Sequence, residues 1–301
     1  MKKTSRSGLL SIFVFTLSLL LSLSISAEEE SGNRVVIVVG THHYSPQKTM
    51  PLFAKELEEL GLETIVVNPE WNPEKGEKGI PGLEALAEAD LAIFFVRFLK
   101  LKDEQLQHIT HYLESGKPVM GLRTSTHGFN YPESNPNHKW NNGFGRDALG
   151  TRYLIHLTSE TEVKVSEGAE AHPILTGVEP GAEWVSPGTL YLTDFPAENK
   201  DLQPLLVGTG NSKRVGEVTN QFGTLQLEKQ MSDVMAWTWT NKWGGRTFTS
   251  SLGHPGDFAV KPSMRVMVNG AFWALEKPVP AADQEIGVLE QPGGKKSKKK
   301  K

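Results

Sequence analysis

The stretch Met235-Ala-Trp-Thr-Trp-Thr-Asn-Lys-Trp-Gly-Gly-Arg-Thr-Phe-Thr-Ser-Ser-Leu-Gly-His-Pro-Gly-Asp257 decides how this chain is read. It reads as two strands joined across Gly244-Gly245, a hairpin signal. The second strand, Arg246 to Leu252, delivers His254 and Asp257 to its carboxyl end. In open α/β sheets, ligands bind at the carboxyl ends of strands. These two residues therefore stand where chemistry is expected.

Working outward, the amino-terminal half alternates apolar runs with amphipathic segments. Arg34 to Val39 is an unbroken apolar run after its first residue, as in a parallel strand buried on both faces. Pro51 to Leu60 follows as a helix, then strands at Glu63 to Val67, Leu91 to Val96 and Lys117 to Leu122. Short helices at Gly82 to Glu88 and Asp103 to Ser115 lie between them. This alternation predicts a parallel sheet with helices on both sides. Further strands are expected at 162–166, 189–193, 205–208 and 234–239, some antiparallel, with a closing helix over 262–275. The polar stretch 123–140 breaks the rhythm and is read as a loop covering the site.

The chain opens with Lys2, Lys3 and Arg6, an apolar run over 9–23, and small residues ending at Ala27. That pattern predicts a secretory leader over 1–27, an exported protein (periplasmic or extracellular) and no stable membrane anchor after cleavage. With no cysteine, there is no thiol nucleophile, disulfide framework or thiolate metal ligand. Setting aside three basic residues of the leader and six lysines of the tail leaves 23 basic against 35 acidic residues, about −12. Such a body excludes nucleic acid as the expected partner. The expected organisation is one domain over 33–278 and a disordered Lys-rich tail over 279–301.

Several segments, in order and spacing, resemble the ThuA-like, or trehalose-utilisation, family of the class I glutamine amidotransferase-like superfamily. They are Val39-Gly40-Thr41-His42-His43, Gly121 to His127, Gly150-Thr151 to His156, His172 to Gly177, Thr189-Leu190-Tyr191, Ala236-Trp237 through His254, and Asn269 to Leu275. The resemblance implies a flavodoxin-like three-layer sandwich with a mostly parallel central sheet and added antiparallel strands. Amidotransferases carry a Gly-x-Cys-x-Gly elbow after strand four; here Gly121-Leu122-Arg123-Thr124-Ser125 occupies it, with Arg123 at the nucleophile position. His254-Pro255-Gly256-Asp257 resembles the His-Pro-Glu block. Glutaminase chemistry is therefore not expected. The elbow histidine common in the family and its acidic residue before Leu190-Tyr191 are both replaced.

His254 is expected as the general acid or base, with Asp257 either orienting it or capping a following helix. His127 is read as a partner of His254 across the crevice, or as a backbone-bonded loop histidine. Arg123 offers a fork of donors for a carboxylate, phosphate or carbonyl, and its alternative is an ion pair with Asp147 or Asp257. One of His42 and His43 faces the crevice, because neighbours on an extended segment point opposite ways. His156 and Trp243 complete the candidate substrate contacts, with core packing the alternative for the tryptophan. His172 is read as turn-forming.

Three functions remain. The first is an exported enzyme acting on a small saccharide, including keto derivatives made by a partner sugar dehydrogenase. The second is a non-catalytic sugar-binding module. The third is a metallohydrolase holding a divalent metal through His42, His127 and His254.

Overall fold

Strand β1 (Arg34–Gly40) shows why the centre of this fold is buried on both faces. Its β-branched residues alternate across the pleat. Val35, Ile37 and Val39 enter one apolar cluster, and Val36 and Val38 enter another. The first cluster holds helices α1 (Pro46–Glu59) and, at the chain's far end, Lys261–Ala274. The second holds α2 (Asp103–Glu114) and a 3-10 turn over Leu83–Glu88. The result is three layers. The computed structural model describes residues 34–76, 78–196 and 199–289, so the expected leader over 1–27 lies outside the described residues.

Strand β2 (Glu63–Val67), β3 (Leu91–Val96) and β4 (Val119–Leu122) pair parallel around β1 in the order β2-β1-β3-β4. A short helix α3 (Trp140–Gly143) precedes β5 (Arg152–His156), β6 (Thr161–Val165), β7 (Glu183–Ser186) and β8 (Tyr191–Asp194). Then come β9 (Gln203–Asn211), β10 (Gly216–Asn220), β11 (Gly223–Leu227), β12 (Gln230–Thr240) and β13 (Arg246–Ser250), with α4 being Lys261–Ala274. Strand β13 joins the two halves of the nine-stranded sheet. It runs parallel to β4 and antiparallel to β12, and β9, β6 and β7 continue the antiparallel side. Strand pairs β5–β8 and β10–β11 stand apart as small antiparallel ribbons.

The Gly244-Gly245 hairpin forms as expected. Asn241 Oδ1 accepts the N–H groups of Trp243 and Gly245, and Gly244 takes a left-handed φ of 88°. Two expectations change. Residues 123–127 are not part of a covering loop but a buried 3-10 turn beneath the strand ends. Residues 279–289 do not trail away. Ile286 is buried, Leu289 donates its N–H to Phe258, and Gly287 donates to Glu56. Apolar side chains at 279, 286 and 289 pack on the α1–α4 face, which composition hid behind the lysine-rich end. Among the described residues, no helix is long and apolar enough to cross a membrane.

Asp233 on β12 ties β8 to the sheet by accepting the Thr193 and Val234 N–H groups. Burial pushes its carboxyl up to about 6, with those N–H groups pulling the other way. A raised folded value means this stabilising contribution is full below the unfolded value near 3.8 and is lost as pH rises through 6. The stability difference between wild type and Asp233→Asn is thus expected to shift in favour of wild type, by about 2 kcal/mol, on going from pH 6 to pH 4. Urea melts at those two pH values check this, and a constant difference would contradict it.

Candidate functional site

The backbone itself marks one end of the parallel strands. Tyr44 and Ser45 after β1, Phe98 after β3 and Arg123 after β4 all have left-handed φ, between 49° and 66°. For side chains with a Cβ, such conformations cost on the order of 1–3 kcal/mol each, and they cluster where function demands them. Glu276, after α4, is the one other such residue among those described.

Arg123 leaves β4 through this strained turn and points into the protein at 1% exposure. Its guanidinium is sandwiched between the rings of Tyr44 and Tyr191, each centroid 4.4 Å away. Nη1 donates to Ser251 O at 2.7 Å and Thr189 O at 3.1 Å, and Nη2 donates to Tyr44 Oη at 3.2 Å. Gly188 makes room: a Cβ there would lie 2.9 Å from Nη1. Burial opposes the charge, but the oxygens of Tyr191 and Tyr44 and the Asp257 carboxylate more than offset it, so Arg123 stays protonated. Neither expected ion pair forms, because Asp147 pairs with Lys242 and Asp257 bonds elsewhere.

From this stack the aromatic groups continue in both directions. On one side, Tyr44 meets His43 at 4.3 Å and His254 at 5.7 Å between ring centroids. On the other, Tyr191 meets His127 at 5.7 Å, and His127 lies 4.2 Å from Tyr153. Tyr153 Oη shares a 2.7 Å hydrogen bond with Nδ1 of the exposed His156. His127 and His254 therefore flank the stack and do not pair with each other. Phe98 and Phe222, half-buried and stacked at 6.4 Å, finish the rim beside His127.

His43, His127, His156 and His254 are all pushed toward the neutral form. Burial lowers His127 well below 6.5, with Arg97 and Arg123 adding to the effect. Burial also lowers His43, His156 and His254, although Asp257 pulls His254 the other way. Nδ1 of His254 accepts the Gly256 N–H at 3.2 Å, which leaves the proton on Nε2 and makes that nitrogen a donor. Of the two neighbouring histidines, His43 faces the site, while Nε2 of His42 is buried without a partner.

Two expected roles do not survive. Asp257 is fully buried and accepts from Ser186 Oγ at 2.6 Å and from the N–H groups of Gly253 and His254 at 2.9 Å each. It neither orients the imidazole nor caps a helix; it holds the 253–257 turn closed. Trp243 stacks on Trp140 at the β12–β13 turn, where Gly116 before β4 approaches its carbonyl. That is the amino end of the parallel strands, far from the rim. His172 accepts the Ile174 N–H and forms a turn, as read. Among the described residues, no three His, Cys, Asp or Glu side chains group closely enough to hold a metal ion, so His42, His127 and His254 do not form one.

Sequence reading missed Tyr44, Arg97, Phe98, Tyr153, Tyr191 and Phe222 as site residues. It also missed Glu74, which accepts from Thr41 Oγ1 at 2.7 Å and pairs with Arg97. The available signal was position: Tyr44, Arg97 and Phe98 follow apolar strand runs at the same sheet edge.

A strand-end site on a mixed α/β sheet, with an arginine at the elbow where amidotransferases place a nucleophile, defines the class. The sequence profile of the ThuA family, described as trehalose utilisation, matches residues 34–274, and the chain belongs to that family. Two solved structures share the fold. A putative ThuA-like protein from Bacteroides uniformis is 17% identical with a TM-score of 0.53, covering 80% of this chain and 90% of its own. One from Parabacteroides merdae is 13% identical with a TM-score of 0.52, covering 82% and 91%. No curated protein matches the chain.

Proposed function

We propose that this ThuA-family chain is an exported enzyme that moves protons on a small saccharide, favouring one carrying a ketone made by a partner sugar dehydrogenase. The observation that carries this reading is the group of neutral imidazoles, His43, His156 and His254, at partly exposed positions around one strand-end rim. A ketone acidifies the neighbouring C–H, and an imidazole titrating at or below neutrality is a base matched to that proton. His254, donating through Nε2, suits the ketone oxygen, and His43 suits the proton. Phe98 and Phe222 offer flat apolar faces to a sugar ring. Glutaminase chemistry has no support, since no thiol exists in the chain.

Mass spectrometry of plain and 3-keto disaccharides incubated with the protein tests the reading. Turnover of a keto sugar is expected, and His254→Ala is expected to lower kcat/KM by roughly 10²–10⁴ without unfolding the chain. Full activity in that variant would remove the mechanism. A second reading, a sugar-binding module without turnover, is favoured by the enclosed Arg123, both of whose Nη groups donate to protein acceptors. Calorimetric binding with no product formed would select it.

A further inference from the structure

We infer that Tyr44 is the catalytic proton donor of this rim and that Arg123 is its positioning residue. The inference rests on the proton-transfer reading above and deepens it. Three observations meet at Tyr44. Its backbone is left-handed, as is that of Arg123, so two strained turns bring these side chains together. Its oxygen accepts from Arg123 Nη2 at 3.2 Å while the same guanidinium covers its ring. Arg123, with the Tyr191 and Thr189 hydroxyls beside it, fills the accepting side of that oxygen, and the phenol's own proton is left to be given elsewhere. Its ring makes edge-type contacts with two imidazoles, His43 and His254.

The other tyrosines do not meet these conditions. Tyr191 is 3% exposed and Tyr153 is 8% exposed, whereas Tyr44 is half-buried. Burial sends Tyr191 well above 10, and burial likewise pushes Tyr153 up to about 12. Burial is the largest effect on Tyr44 and acts in the same sense, but the charge and hydrogen bond of Arg123, together with hydrogen bonds from Tyr191 and Thr189, outweigh it and bring the phenol below its ordinary value. Arg123 has no carboxylate bonded to it. A phenolate on Tyr44 would therefore be the first anion hydrogen-bonded to it, beyond the unbonded Asp257 carboxylate nearby, and this is the charge distribution a buried cation at this place is suited to stabilise.

The step balances as follows. An imidazole takes the proton from the carbon beside the ketone, and the C–H electron pair becomes the C=C bond of an enol. The carbonyl π pair takes the Tyr44 proton. The enzyme then holds an imidazolium and a Tyr44 phenolate paired with Arg123. Reversal at the same or the neighbouring carbon restores both groups.

The groups facing the phenol are Arg123 from the β4 turn, His43 from the β1 end, His254 from the β13 end and Tyr191 from β8. The deciding measurement is a phenolate absorbance titration of the full protein against Tyr44→Phe. The difference is expected to show one phenol ionising below about 10. Arg123→Met is expected to raise that midpoint by roughly 1–3 units, while Arg123→Lys recovers part of it. Should Arg123→Met fail to fold, Gly188→Ala, whose methyl crowds the guanidinium, is expected to shift the midpoint in the same direction. On a turned-over substrate, Tyr44→Phe is expected to lower kcat by roughly 10²–10⁴ with KM little changed. An unshifted phenol, or a Tyr44→Phe enzyme with full kcat, overturns the inference. If no saccharide is turned over, the substrate reading fails, and the titration alone decides the Arg123–Tyr44 pair.

Discussion

Asp257→Ala is expected to lose roughly 3–5 kcal/mol of stability, as much as truncating a large core side chain. The carboxylate is fully buried and receives one hydroxyl and two backbone N–H groups, of which only the His254 N–H is part-buried. Alanine leaves these donors without acceptors, and each orphaned buried group costs about 1–3 kcal/mol. Asp257→Asn separates this structural role from a catalytic one. Its oxygen still accepts both N–H groups, and its amide can donate to Ser186 Oγ. A cost of about 1 kcal/mol is expected, with activity within about tenfold of wild type. Were Asp257 the orienter of His254, the asparagine variant would lose about 10⁴ in kcat, as in triads whose imidazole takes the wrong tautomer. Urea melts and turnover of the two variants give the answer. A well-folded, inactive Asp257→Asn would contradict the account.

Stability is expected to fall steeply as pH drops below 6.5. Burial lowers His127 well below that value, and His43, His156, His172 and His254 shift the same way. A depressed folded value means the unfolded chain binds protons that the folded chain refuses. The stabilising contribution is present above 6.5 and is lost as pH falls through the window between the unfolded and folded values. The buried His127 removes up to about 1.4 kcal/mol per pH unit within that window, and the more exposed imidazoles remove less because water screens them. Asp233 opposes the trend between 6 and 4, as one group against five. His127→Phe keeps an aromatic ring among Phe98, Tyr153, Tyr191 and Phe222 but cannot take a proton. It is expected to flatten the acid limb. Denaturant midpoints from pH 7.5 to 5 test this, and an unchanged slope in His127→Phe would contradict it.

The parallel core was legible because its strands are buried on both faces and so read as unbroken apolar runs. The Gly-Gly hairpin was legible from turn chemistry. The small ribbon β10–β11 was not, because its short strands mix exposed polar residues with the few apolar ones, Val218, Leu225 and Leu227, that reach the core. At the site, position was legible and partnership was not. His254 and Arg123 do stand at the carboxyl ends of β13 and β4. However, an Asp three residues after a His on a tight turn bonds that turn's N–H groups as readily as an imidazole, and spacing cannot choose between them. Trp243 shares a hairpin with β13 yet lies at the opposite end of the strand, since a strand separates its turn from its catalytic terminus. Tyr44 and Tyr191 went unseen because their role comes from a third residue, the arginine that both rings enclose.

The central claim is that the rim around Tyr44, Arg123 and His254 moves protons on a keto saccharide. Exchange of the hydrogen beside the ketone, followed by mass spectrometry in deuterated water, measures that step whether or not a product departs. Wild-type protein is expected to add one mass unit per exchanged position to a 3-keto disaccharide, and His254→Ala is expected to do so at least about a hundredfold more slowly. Equal exchange in wild type, variant and buffer would contradict the account.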